Sequence, residues 1–204
     1  PLHVIEKVSR VELELNCSDN AMVIYYQAQS AEVSEKIKMM ALNHLINQDY
    51  FNELRTKQQL GYLVGAGYAP FNTRAGIAFY VQSPDYCPST LLARHNEFIT
   101  LALENLNQLD EAQWQVQKHG LKTHIAEKDK NLRLRSQRLW LAIGNQDHTF
   151  NMQKKLLSAL EALTIDEIKT YMRETFDDDR ARYELLSYPK AKKLAKDSVS
   201  SHSL

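Results

Sequence analysis

Polar and apolar residues alternate over SRVELELN (9–16) and again over NAMVIYYQAQ (20–29). That period of two belongs to strands with one buried face. Ser18, Asp19 and Asn20 between them are turn formers, so the two segments read as a β-hairpin. From Ser30, a candidate cap, the period becomes helical through AEVSEKIKMMALNHLINQDYFNELRTKQQL. Ile37, Met40, Ala41, His44 and Leu45 follow the i, i+3, i+4, i+7 spacing. A bend or break is expected near Asp49, with Gly61 as the stop just past the helix end.

Two further strands follow, GYLVGAGYA (61–69) and RAGIAFYVQS (74–83), joined by Pro70, Phe71, Asn72 and Thr73. Gly61, Gly65 and Gly67 thin one side of the first. Such thinning marks a bulge or the close approach of another backbone, or simply a twisted strand. After Pro88 the chain turns helical. Leu91, His95, Phe98, Ala102, Leu106 and Leu109 form one stripe. Asp110 with Gln113 has the form of a capping box, opening a helix whose Trp114, Gln117, Leu121 and Ile125 face inward. Helices are expected near Leu132–Ile143 and Met152–Leu160, and a second capping box, Thr164 with Glu167, opens TIDEIKTYMRETF. ARYELLSY (181–188) is a last strand. The order predicts a single α+β domain over 1–188, a mainly antiparallel sheet with helices packed on one face. The lysine- and serine-rich 189–204 has little to bury and reads as a mobile tail.

Of the 204 residues, 44% are hydrophobic, enough for one substantial core, and 25 basic residues balance 25 acidic ones. No global field favours nucleic acid or a membrane surface. No apolar run approaches the roughly 18 residues of a membrane helix, and no signal segment opens the chain. The first residue, Pro1, suggests a processed or excised piece. Cys17 and Cys87 are expected to be free thiols, and neither a periplasmic nor a cytoplasmic compartment is singled out.

Zinc proteases require HExxH or HxxEH, in which two histidines one helical turn apart hold the metal and a glutamate activates its water. Neither spacing occurs among the seven histidines. In HIAEK, His124 and Glu127 fit, but Lys128 stands where the second imidazole is needed. His119 and His124 are five residues apart and diverge by roughly 140° on a helix. No metal site, GxSxG elbow or phosphate loop is expected in this chain. His44 and His95 lie on apolar stripes and read as packed, hydrogen-bonded core residues. Lys118, Lys122, Lys128, Lys130, Arg133, Arg135 and Arg138, with His119 and His124, form a basic strip. It is either a solvated helix face or a polyanion-binding surface.

The segment YFNELRTKQQLGYLV (50–64) closely resembles a signature, approximately FNxLRTxEQLGY, of the insulinase/pitrilysin (M16) family of zinc peptidases. MVIYYQ (22–27), YVQSP (80–84), RLWLAI (138–143) and LTIDEIKTYMRETF (163–176) extend the likeness over residues 10 to 187. The resemblance implies the metallopeptidase M16/LuxS-like fold and a C-terminal, fourth domain without the zinc motif. Zinc and its ligands would lie in the N-terminal half of a parent metalloendopeptidase, whose other domains and peptide substrates would be this chain's partners. It also implies that Arg55 and Tyr62 reach the substrate, as donors to a peptide carbonyl becoming an oxyanion. Gln58 departs from the acidic residue of many relatives. The alternatives are a non-catalytic scaffold of the processing-peptidase kind and a polyanion-binding module.

Overall fold

The computed structural model describes residues 5–71, 73–144, 147 and 149–190. In chain order these form β1 (Ser9–Leu15), β2 (Asn20–Gln27), α1 (Val33–Phe51) and a π-helical turn (Asn52–Lys57). They are followed by β3 (Leu63–Tyr68), β4 (Gly76–Ser83), α2 (Pro88–Gln108) and α3 (Glu111–Ala126). The remainder comprises α4 (Leu132–Gly144), α5 (Met152–Ala162), α6 (Ile165–Thr175) and β5 (Arg182–Pro189). The expected tail beyond Lys190 lies outside the described residues, and Pro189 still belongs to β5.

One five-stranded sheet runs in the order β1-β5-β2-β4-β3. The α+β class and the mainly antiparallel sheet agree with the sequence reading, but the first hairpin does not. β5 lies between β1 and β2, antiparallel to β2 and parallel to β1. Residues 16–19 therefore span two strand spacings, roughly 10 Å, rather than closing a tight turn. The inserted strand is held by a charge pair that local pattern does not reveal. The carboxylate of Glu184, fully buried, accepts from Arg10 Nε at 2.7 Å and from Arg182 Nε at 2.8 Å. A buried carboxylate tolerates such a place only when paired on both oxygens.

Alternation divides the sheet, although Tyr25 and Ser187 are buried on the face away from the helices. Met22, Ile24 and Tyr26 of β2 pair with Val81, Phe79 and Ile77 of β4, and all six are buried on the helix side. Fully burying a side chain such as Phe79 contributes about 2–3 kcal/mol of transfer free energy. The other face carries Val23, Tyr80, Gln82, Leu185 and Leu63, none of them fully buried.

Two helix starts follow their sequence signals. Asp110 and Thr164 each accept from the backbone N–H three residues on, and Gln113 and Glu167 reciprocate. Leu91, His95, Phe98, Ala102 and Leu106 of the α2 stripe are buried as expected, while Leu109, just past the helix, is half-buried. In α1 the buried set is Ile37, Met39, Ala41, Leu42, Ile46 and Tyr50, which keeps Ile37 and Ala41 of the predicted stripe but not Met40, His44 or Leu45. α1 packs on β3 and β4 on one side and on α3, α5 and α6 on others, so no single face is its core face. His95 is fully buried among Tyr26, Tyr50 and Phe79, but neither ring nitrogen finds a hydrogen-bond partner among the described residues. It is a packed histidine without the hydrogen bond expected for it. α4 buries none of its residues.

Candidate functional site

The signature segment does not end as an ordinary helix. α1 passes directly into the π-helical turn Asn52–Lys57, where Gln58 N–H donates to Glu53 C=O at 2.9 Å, five residues back. Leu60 N–H then reaches Leu54 C=O at 3.0 Å, which closes the reversal toward β3. Widened turns of this kind are rare and concentrate at functional sites. Leu54 and Leu60 are both buried and anchor the turn from below. Between them Arg55 is half-buried and makes no hydrogen bond or ion pair among the described residues. Glu53 does not pair with it. Its carboxylate takes Lys57 Nζ at 2.8 Å and Gln58 Nε2 at 3.2 Å, and the Lys57 hydrogen bond chiefly holds its pKa below the usual range. Gln58 is thus a donor to Glu53.

Gly61 does not supply the left-handed stop expected of it. That conformation falls on Gln59, with φ of 52°. Gly61 is required for another reason: a Cβ there would stand 2.0 Å from the carbonyl oxygen of Gln82. Of the two readings of the glycines, close backbone approach therefore applies at Gly61. Gly65 lies against the Tyr80 ring, and Gly67 faces open space.

That approach delivers Tyr62 to the end of β4. Tyr62 is 55% exposed, and its hydroxyl donates to Asp19 Oδ2. Gln82 Nε2 donates to the Tyr62 oxygen at 2.5 Å and to Asp19 Oδ2 at 3.0 Å. The hydrogen bond to Asp19 is the main cause of a phenol pKa raised above its ordinary value. Ser18 Oγ donates to the other Asp19 oxygen at 2.8 Å. Arg55 and Tyr62 thus flank one short connection, but Tyr62 is tied to Asp19 and Gln82 rather than to Arg55. Asp19 and Gln82 escaped the sequence reading, which took Asp19 for a turn former. The available signal was Gln82's place in YVQSP.

The basic strip is broken up by partners. Lys118 Nζ donates to the carbonyls of Glu161 and Leu163, tying α3 to the end of α5. Lys122 pairs with Glu161, Lys130 with Glu127 at 3.0 Å, and Arg138 with Asp129 at 2.8 Å. α1 carries one histidine, His44, packed near Gly120 and lowered in pKa by burial first and by His124 second. No group of three His, Cys, Asp or Glu side chains suited to a metal occurs among the described residues. These residues do not fit a zinc ion. Cys17 and Cys87 are not joined in a disulfide. No described helix is long and apolar enough to cross a membrane.

Residues 41–140 match the family model described as PQQ synthase PqqF-like, C-terminal lobe domain 4. A nardilysin-like protein of Arabidopsis thaliana is 31% identical over 176 residues, covering 82% of this chain and 17% of that protein. Human insulin-degrading enzyme is 28% identical over 173 residues, covering 85% of this chain and 17% of its own length. The chain belongs to the insulinase/pitrilysin (M16) family. The crystal structure of pitrilysin superposes with a TM-score of 0.77 at 21% identity, over 89% of this chain and 19% of that one, which shows a shared fold. The M16 domain described here is therefore a C-terminal domain of a peptidase family, spanning 17% of the length of these two curated relatives.

Proposed function

We propose that this M16 domain forms one wall of the substrate chamber of a zinc-dependent metalloendopeptidase, where Arg55 and Tyr62 orient the peptide and stabilise the developing oxyanion. The observation that carries the reading is the π-helical turn within the family signature. It leaves Arg55 without an internal partner among the described residues and sets Tyr62 exposed at the sheet end. A guanidinium is a fixed fork of donors and a phenol a single directed one, and both suit an oxygen gaining negative charge. The metal and its ligands belong, on this reading, to another domain of the same polypeptide. This chain's part is to bind, orient and enclose.

The exposed apolar side chains of α4 support the partner assignment. Leu132, Leu134, Trp140, Leu141 and Ile143 are all exposed, on a helix with three arginines and no acidic residue. A patch of that kind fits an apolar, acidic surface on a neighbouring domain of the polypeptide. Arg55→Ala and Tyr62→Phe in the full-length enzyme should each lower kcat, by about 10²–10³-fold if each removes one oxyanion donor. Circular dichroism should stay unchanged. Full turnover by both variants would refute the assignment.

A further inference from the structure

A phenol has one proton to give and two lone pairs to offer. In this structure Asp19 takes the proton of Tyr62 and Gln82 occupies one lone pair, so the outward side of the oxygen is an acceptor. A substrate carbonyl meeting Tyr62 in this state finds no donor. Tyr62 donates to it only by exchanging the Asp19 carboxylate for the substrate oxygen. A neutral carbonyl is the weaker acceptor and loses that competition. An oxyanion carries its charge on a single oxygen and outcompetes the carboxylate, whose charge is shared over two.

Resting on the reading of Tyr62 as a substrate donor, we propose that Asp19 and Gln82 are positioning residues that latch its hydroxyl and release it as negative charge develops on the substrate. The latch converts an interaction available to ground state and transition state alike into one made chiefly in the transition state. Its geometry follows from the fold. Asp19 leads into β2, Gln82 lies near the end of β4 and Tyr62 precedes β3, and the pairing of those strands brings the three together. Gly61 allows the approach by passing against the Gln82 carbonyl. Ser18 donates to the second Asp19 oxygen and helps hold the carboxylate in place. The raised phenol pKa agrees with a hydroxyl engaged by a carboxylate.

Two arms test the latch. On this chain, the difference between its alkaline absorbance titration and that of its Tyr62→Phe variant isolates the Tyr62 phenol. Asp19→Asn should shift that midpoint down toward the ordinary 10.0. An unmoved midpoint overturns the latch. In the full-length enzyme, Asp19→Asn should lower KM by roughly tenfold, the worth of a hydrogen bond now available to the ground state, and raise kcat/KM at least as much, because Tyr62 no longer gives up a carboxylate on the way to the transition state. Asp19→Ala should act in the same direction, and neither should change KM or kcat in a Tyr62→Phe background. Equal effects in both backgrounds mean that Asp19 acts by another route, and the latch fails while the role of Tyr62 stands. If Tyr62→Phe alone leaves turnover intact, the substrate-donor reading itself fails, and this inference with it.

Discussion

His95 is neutral because its ring lies wholly inside the core, where burial first and the charge of Arg182 second push its pKa from 6.5 down to about 3. The folded-state value lies below the unfolded one, so folding favours the uncharged ring. Its contribution to stability is whole above pH 6.5 and is lost as the pH falls toward 3. Within that window each pH unit removes up to about 1.4 kcal/mol. Urea unfolding from pH 6.5 downward should show the midpoint falling, and His95→Phe should flatten the fall. Parallel falls in both proteins would place the acid sensitivity elsewhere. At this scale the placing of Arg55 and Tyr62 on one short connection was readable because they sit inside a contiguous motif. Asp19 and Gln82 were not, since they meet Tyr62 across 43 and 20 residues of chain.

The connection from α1 to β3 is the element whose form departs furthest from its pattern. Apolar periodicity distinguishes a helix from a strand, but it does not distinguish an α-turn from a π-turn. The widened turn is set by the need to bury both Leu54 and Leu60 while the chain reverses into β3. Its cost is visible at Gln59, a residue with a Cβ held left-handed. Gln59→Gly should therefore raise stability, by about 1 kcal/mol. Gly61→Ala should lower it, by about 1–3 kcal/mol, because the added methyl meets the backbone of β4 rather than a movable side chain. Chemical denaturation of the two variants checks both signs. A stable Gly61→Ala protein would mean that β3 shifts freely on β4, which would also undo the placement of Tyr62.

On the scale of the whole molecule, the two tryptophans report on different surroundings. Trp114 is buried in the core, whereas Trp140 on α4 is 73% exposed. If a neighbouring domain covers α4, acrylamide should quench Trp140 in this chain alone and lose access to it in the full-length polypeptide. The difference in emission between each protein and its Trp140→Phe variant isolates the signal. Equal quenching in both would leave α4 facing solvent and remove the proposed contact. A cavity of about 460 Å³ lies between α4 and the body, lined by Met40, Tyr68, Ile125, Leu141 and Phe150. The sequence pattern placed α4 correctly but carried no signal that it would stand off. Its Leu and Trp residues look as buriable as those of α2.

By itself the sequence determined what depends on neighbours a few residues apart. The strands with their period of two, the α2 stripe, and the capping boxes at Asp110 and Thr164 all rest on contacts within a turn or a pleat. The contiguous signature that carries Arg55 and Tyr62 was legible for the same reason. The tertiary structure alone decided the insertion of β5 between β1 and β2, the buried side of α1 and the Asp19–Tyr62–Gln82 cluster. Each arises from segments far apart in the chain, chosen by which surfaces and charges they bury together, as Glu184 does between Arg10 and Arg182. Local preference leaves such choices open, and the packing of the whole domain closes them.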